Sequence, residues 1–196
     1  MLKVGITGGI GAGKSTVCRV FETLGIPVFY ADDAAKFLMN SDAGLRQQIV
    51  QTFGEKTYEN NKLNRTYLAQ QVFGNPEKLA QLNALTHPAV IRYGEAWMKQ
   101  QQTPYVLKEA ALFFESGSYK SMNLMIGVSA PQPLRILRTM QREHISEAQV
   151  LERISKQMDD TEKMRRCDYI IVNDDAHSVI VQVWNLHQEL LLKANS

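Results

Sequence analysis

The sequence predicts an α/β fold, with a central parallel sheet of about five strands covered by helices on both faces. Three observations lead there. Apolar runs suited to buried strands recur at residues 2–6, 26–30, 105–107, 124–128 and 169–172. Helical periodicity fills the intervals between them. The first run passes into a helix through a turn made mostly of glycine, residues 8–13.

The elements follow in order. Leu2, Val4 and Ile6 alternate as a short strand does, and Val17, Val20, Phe21 and Leu24 fall at helical spacing, with Gly25 as the stop. The run from Ile26 to Tyr30 is rich in β-formers and ends at Ala31 and Asp32, so Asp32 and Asp33 are expected at a strand's end. From Ala34 to about Gln102 the pattern is helical and polar, with breaks expected at Gly54, at Asn60 and Asn61, from Gly74 to Pro76, and at His87 and Pro88. A second polar helical stretch, Pro131 to Asp168, carries Arg135, Arg138 and Arg142. After the last strand, Val179, Val183, Leu186 and Leu190 form a helical stripe read as core packing.

The 196 residues allow one sizeable core with an insertion or small second lobe. With 22 basic and 20 acidic residues the formal charge is +2, so no basic surface points to nucleic acid. No apolar stretch reaches the length of a membrane span, and Met1 runs directly into the first strand without a leader pattern. A cytoplasmic protein with neither membrane nor nucleic-acid partner is therefore expected. The two cysteines, Cys18 and Cys167, lack metal-ligand spacing and are read as reduced packing residues.

The turn Gly8, Gly9, Ile10, Gly11, Ala12, Gly13, Lys14, Ser15, Thr16 matches G-x-x-x-x-G-K-[ST], the phosphate-binding P-loop, in its required place between strand and helix. Glycine lets backbone N–H groups from Gly9 to Thr16 converge on phosphate oxygens. Lys14 can reach the β- and γ-phosphates, and the Ser15 hydroxyl can ligate Mg²⁺. The expected fold is thus a three-layer αβα P-loop NTPase core holding a nucleoside triphosphate. Arg138 and Arg142 lie four apart and share one helical face, which suits them to clamp polyphosphate oxygens, and Arg135 one turn earlier could join them. No Asn-Lys-x-Asp guanine reader is present, and Tyr105 to Glu109 fits poorly as a motor's apolar run ending in acid. A kinase needs a carboxylate near the acceptor hydroxyl, and ligands of open α/β sheets bind beyond the carboxyl ends of strands, where Asp32 is expected. A kinase for another acceptor, or an ATP sensor without transfer, would share the same P-loop.

These residues resemble the dephospho-CoA kinase family nearly end to end. The resemblance runs through Ile6 to Thr16, Leu24 and Gly25, Val28 to Asp32, Leu63 to Arg65 with Leu68 and Phe73, His87-Pro88, Leu112 to Glu115, Arg138 to Arg142, Gln157, and Asp168 to Asn173. It implies ATP-dependent phosphorylation of the ribose 3′-hydroxyl of dephospho-CoA, the last step of coenzyme A synthesis. It also implies Asp32 as general base, Lys14, Arg138 and Arg142 around the transferring group, Asn173 near adenine, and Arg65, His87 and Glu109 toward the acceptor. The implied domains are a nucleotide-binding core at 1–33, 103–130 and 168–196, an acceptor-binding helical insertion at 34–102, and a lid at 131–167. The chain departs from the family pattern at Tyr30, where the first Asp of Asp-Ala-Asp is usual, and at Glu109, Ala111 and Asp174.

Overall fold

The computed structural model describes residues 1–195. Seven strands and nine α-helices are found among them. Five strands form one parallel sheet, β1 (Leu2–Thr7), β2 (Val28–Tyr30), β5 (Tyr105–Glu109), β6 (Leu124–Ser129) and β7 (Tyr169–Val172), in the order β2-β5-β1-β6-β7. The five apolar runs are these five strands. Val4 and Ile6 of β1, Tyr105, Val106 and Leu107 of β5, and Ile126 and Val128 of β6 are fully buried, as a sheet covered on both faces requires.

The chain divides into two compact units, Met1–Phe29 with Gln101–Ser196, and Tyr30–Gln100. In the first, α1 (Lys14–Thr23) buries Val17, Cys18 and Phe21 and stops at Gly25, whose φ of 80° suits a residue without a β-carbon. Helix α9 (Val179–Ala194) buries Val183, Leu186, His187 and Leu190, as the stripe predicts, and packs against α1. Inside this layer the Tyr105 hydroxyl meets His187 Nδ1 at 2.6 Å. After β6 come α6 (Gln132–Glu143), α7 (Glu147–Ser155) and α8 (Asp160–Arg165). Ser146 and Gln149 close a capping box at the start of α7.

The second unit contains α2 (Ala31–Ser41), α3 (Ala43–Phe53), a hairpin of β3 (Tyr58–Glu59) and β4 (Lys62–Leu63), α4 (Arg65–Val72) and α5 (Pro76–Lys99). Asn60 and Asn61 both adopt positive φ, 49° and 62°, the conformation that a two-residue hairpin turn demands. The hairpin is tied to α2, since the Tyr58 hydroxyl donates to the Met39 carbonyl at 2.6 Å and Leu63 N–H donates to Asn40 Oδ1 at 2.9 Å. The breaks at Gly54 and at Gly74 to Pro76 separate helices as expected, with Asn75 capping α5 and Pro76 opening it.

The break expected at His87 and Pro88 is absent. Helix α5 runs through Pro88 for 24 residues. An interior proline costs about 3 kcal/mol, but Thr86, Ala89, Val90, Gly94 and Met98 are buried on both sides of it. Their burial favours one continuous helix, and at about 1.5–3 kcal/mol for each large apolar side chain it outweighs the lost backbone bond. Asp32 also differs from expectation: it lies in the first turn of α2, because the strand ends at Tyr30 and Ala31 already has helical backbone. Among the described residues no helix is long and apolar enough to cross a membrane.

Candidate active site

The glycine-rich turn joins the carboxyl end of β1 to α1, where the N–H groups of Gly13, Lys14 and Ser15 open a helix and have no preceding turn to accept them. Such a terminus carries partial positive charge and suits a phosphate. The turn closes on itself through Ala12 N–H to the Gly9 carbonyl at 3.1 Å. Its glycines are demanded by neighbouring protein. A β-carbon at Gly8 would lie 2.4 Å from the Val128 carbonyl oxygen, one at Gly9 2.0 Å from Arg135 Nη2, one at Gly11 2.2 Å from the Arg135 carbonyl oxygen, and one at Gly13 2.0 Å from Asn173 Nδ2.

Lys14 Nζ donates to the Gly8 carbonyl at 3.0 Å and lies 3.8 Å from Glu109 Oε1. Glu109 ends β5, paired in register with Ile6 of β1, and its side chain is 9% exposed. A basic and an acidic group are therefore brought together at the carboxyl edge of adjacent strands. The Thr7 hydroxyl donates to the Ala111 carbonyl at 3.3 Å, which anchors the loop after β5 beside the turn.

Asn173 follows β7, and its Nδ2 donates to the Ala12 carbonyl at 2.9 Å. Its own carbonyl accepts from Arg138 Nη1 at 3.0 Å, and Arg138 Nη2 pairs with Asp175 Oδ1 at 2.5 Å. Asn173 and Arg138, separately nominated from the sequence, thus meet beside Ala12 of the P-loop. Asp174 accepts bonds from His177 and Ala176, and the His177 bonds hold its carboxyl down at about 2. Arg142 is exposed and bound to Glu143, which also binds Arg153. The hydrogen bond from Arg142, followed by that from Arg153, holds the Glu143 carboxyl below the usual carboxylate range.

Arg135 does not join Arg138 and Arg142. It is 4% exposed, donates from Nε to the Ile10 carbonyl at 3.0 Å, and places Nη1 3.0 Å from Asp160 Oδ1. Helical spacing put it near that face, but the close approach of α6 to Gly9 and Gly11 buries it. Gln157 Oε1 accepts the Ile10 N–H at 3.0 Å, so that amide is already occupied within the protein. The roles of Asp160, Asp175 and Gln157 in these contacts carry no spacing signal in the sequence.

Asp32, Arg65 and His87 belong to the second unit. Asp32 is exposed, and no side chain caps its helix, while neighbouring Asp33 pairs with Lys36 at 2.7 Å. Arg65 opens α4, which Asn64 caps by accepting Tyr67 N–H, and lines a groove of about 590 Å³ with Thr66, Ala69, Gln70 and Phe73. His87 is partly buried on α5.

Among the described residues no cluster of three or more His, Cys, Asp or Glu forms a ready-made metal cage. A kinase working on ATP needs a divalent metal in general, and the donor set near the P-loop, the Ser15 hydroxyl and the Glu109 carboxylate, is all oxygen. That set fits a hard cation completed by phosphate oxygens. Burial pushes the Cys18 thiol far up and the Cys167 thiol up to about 12, so neither offers a thiolate.

A parallel sheet with a P-loop after its first strand and arginines on a following helix defines a P-loop kinase. The model of the dephospho-CoA kinase family, CoaE, matches residues 2–178, and the chain belongs to that family, which carries out the final ATP-dependent step of coenzyme A biosynthesis. Similar proteins include the dephospho-CoA kinase of Salinibacter ruber, 40% identical over 178 residues and 89% of each chain. That of Bacteroides fragilis strain YCH46 is 34% identical over 186 residues, 94% of this chain and 91% of the relative. The solved structure of dephospho-CoA kinase from Campylobacter jejuni superposes with a TM-score of 0.71 at 28% identity, covering 99% of this chain and 98% of that one.

Proposed function

We propose that this protein acts in the cytoplasm, free of membrane and nucleic-acid partners, and moves the γ-phosphoryl group of ATP onto the ribose 3′-hydroxyl of dephospho-CoA. Asp32 is the general base. The observation that carries the phosphoryl-transfer reading is Lys14, a nearly buried ammonium held between the Gly8 carbonyl and Glu109 at the mouth of the backbone cradle. An anion arriving there meets a fixed positive charge and the N-terminus of α1 together.

The N–H groups of Gly11, Gly13, Lys14 and Ser15 hold the phosphates, those of Ile10, Ala12 and Thr16 being bonded within the protein, and Lys14 shifts its attention from Glu109 to the oxygens of the transferring group. Arg138 and Arg142 exchange Asp175 and Glu143 for phosphate oxygens, with residues 131–167 acting as a lid that excludes water. Ser15, assisted by Glu109, would hold Mg²⁺, and the bound ion would supply positive charge to offset that of the phosphates. The helical residues 34–102 bind the acceptor, with Arg65 and His87 contributing, and Asn173 sits by adenine.

Asp32 accepts the proton of the 3′-hydroxyl. As the new O–P bond forms, the bond to the bridging oxygen breaks and ADP leaves, so catalysis rests on positioning and charge. The test is to incubate the pure protein with MgATP and a panel of hydroxyl acceptors and to follow ADP release. Dephospho-CoA should be the preferred acceptor and coenzyme A the product. Equal or faster release with another acceptor, or release that ignores the acceptor, overturns the assignment.

A further inference from the structure

We infer that Arg135 is a positioning residue for the phosphate cradle, acting through the peptide between Ile10 and Gly11. This rests on the reading of residues 8–16 as the phosphate site.

The argument begins with peptide geometry. A trans peptide is planar, with its C=O and N–H on opposite edges, so fixing the direction of one fixes the other. Arg135 Nε holds the Ile10 carbonyl at 3.0 Å, and the Gly11 N–H of that same peptide must then point away from the buried guanidinium. A cation bound to the carbonyl also polarises the peptide, which makes its N–H a stronger donor to an anion. The preceding peptide is fixed as well, because Gln157 Oε1 accepts the Ile10 N–H. Without these two side chains the tip of a loop rich in glycine would be free to rotate its peptides.

Arg135 and Gln157 are themselves held. Asp160, the first residue of α8, pairs with Arg135 Nη1 at 3.0 Å. Lys163 of α8 is completely buried and donates to the Ala111 carbonyl and to Glu115 Oε1, both at 3.0 Å. Glu115 Oε1 also accepts the N–H of Met158, the residue next to Gln157. The cradle's tip is thus braced by α6, by α8 and by the loop after β5. A fork-shaped guanidinium is needed at 135, because one group must donate to Ile10 and face Asp160 at once, and a lysine has one nitrogen for the two tasks.

The experiment measures ADP affinity by calorimetry, together with KM for MgATP, KM for dephospho-CoA and the ¹⁵N–¹H signal of Gly11. Arg135→Met should weaken ADP binding and raise KM for MgATP by about tenfold or more, the range of a lost hydrogen bond to a charged group. KM for dephospho-CoA should stay put, and the Gly11 amide should shift. Arg135→Lys, which keeps a cation for Asp160, and the double variant R135M/D160N, which removes both charges, guard against misfolding; each should show the same selective loss for the nucleotide. Wild-type binding of ADP tests the phosphate-site reading by itself. If the wild type binds ADP while folded Arg135→Lys or R135M/D160N binds it equally well with an unmoved Gly11 signal, the inference is overturned.

Discussion

Lys14 Nζ lies 3.8 Å from Glu109 Oε1, with the two side chains 12% and 9% exposed. Each charge keeps the other solvable in a place where water is scarce. Replacing Lys14 with Met removes the cation that meets the transferring group, and kcat should fall by roughly 10²–10³-fold, the scale for losing one preorganised electrostatic partner. Steady-state kinetics at saturating MgATP measures this; a variant within tenfold of wild type contradicts the role.

Asp32→Asn preserves size and keeps a polar group in the first turn of α2. Turnover should drop by about 10²-fold or more, as expected for a positioned proton acceptor. ADP affinity should be unchanged. Near-normal turnover would leave the protein a nucleotide binder whose base lies elsewhere.

Gly11→Ala and Gly25→Ala form a matched pair. Both glycines have positive φ, 76° and 80°. A β-carbon at Gly25 meets nothing within 4 Å, whereas one at Gly11 lies 2.2 Å from the Arg135 carbonyl. The Gly25 variant should lose only the backbone term of about 1–2 kcal/mol. The Gly11 variant should lose that and a further ~1–3 kcal/mol for overpacking. Urea denaturation of the two separates these contributions, and equal losses would refute the close approach of α6.

The buried His187 imidazole is pushed below its ordinary value by desolvation. The folded state therefore favours the neutral ring, and on acidification the unfolded chain takes up the proton first. Stability from this group is complete above the ordinary value of about 6.5 and is lost as pH falls from there toward the lowered folded value. His187→Asn retains a partner for the Tyr105 hydroxyl but cannot titrate, so its Tm should fall less than that of wild type over this interval. Parallel Tm curves for the two proteins would show that His187 does not contribute.

Cys18 and Cys167 are both free, with thiols held protonated by burial. Neither should react with iodoacetamide at pH 8 on a timescale of minutes in the native protein, whereas both should react in denaturant. Mass spectrometry of the alkylated chain checks the outcome.

The sheet was legible because strands buried on two faces must be apolar throughout, and the P-loop because its chemistry fixes both residue types and spacing. Gly54 and the Asn60-Asn61 turn announced themselves through the positive φ that each needs. Pro88 misled, since its local penalty is visible in sequence while the burial of Ala89, Val90 and Met98 that overrides it is not. Arg135 misled differently. Periodicity assigns a residue to a face of its helix, but only packing reveals that α6 presses on Gly9 and Gly11 and buries the guanidinium. Gln157 matched the family pattern, yet its bond to Ile10 spans 147 positions, beyond any spacing rule.

Val128, Arg135 and Asn173 crowd the cradle closely enough that Gly8, Gly9, Gly11 and Gly13 have no room for a larger side chain. Selection for folding alone would thus retain this glycine pattern. A descendant that had stopped handling ATP would still carry it, and evolutionary loss of catalysis in such a lineage would surface first at exposed Asp32, where the architecture tolerates change.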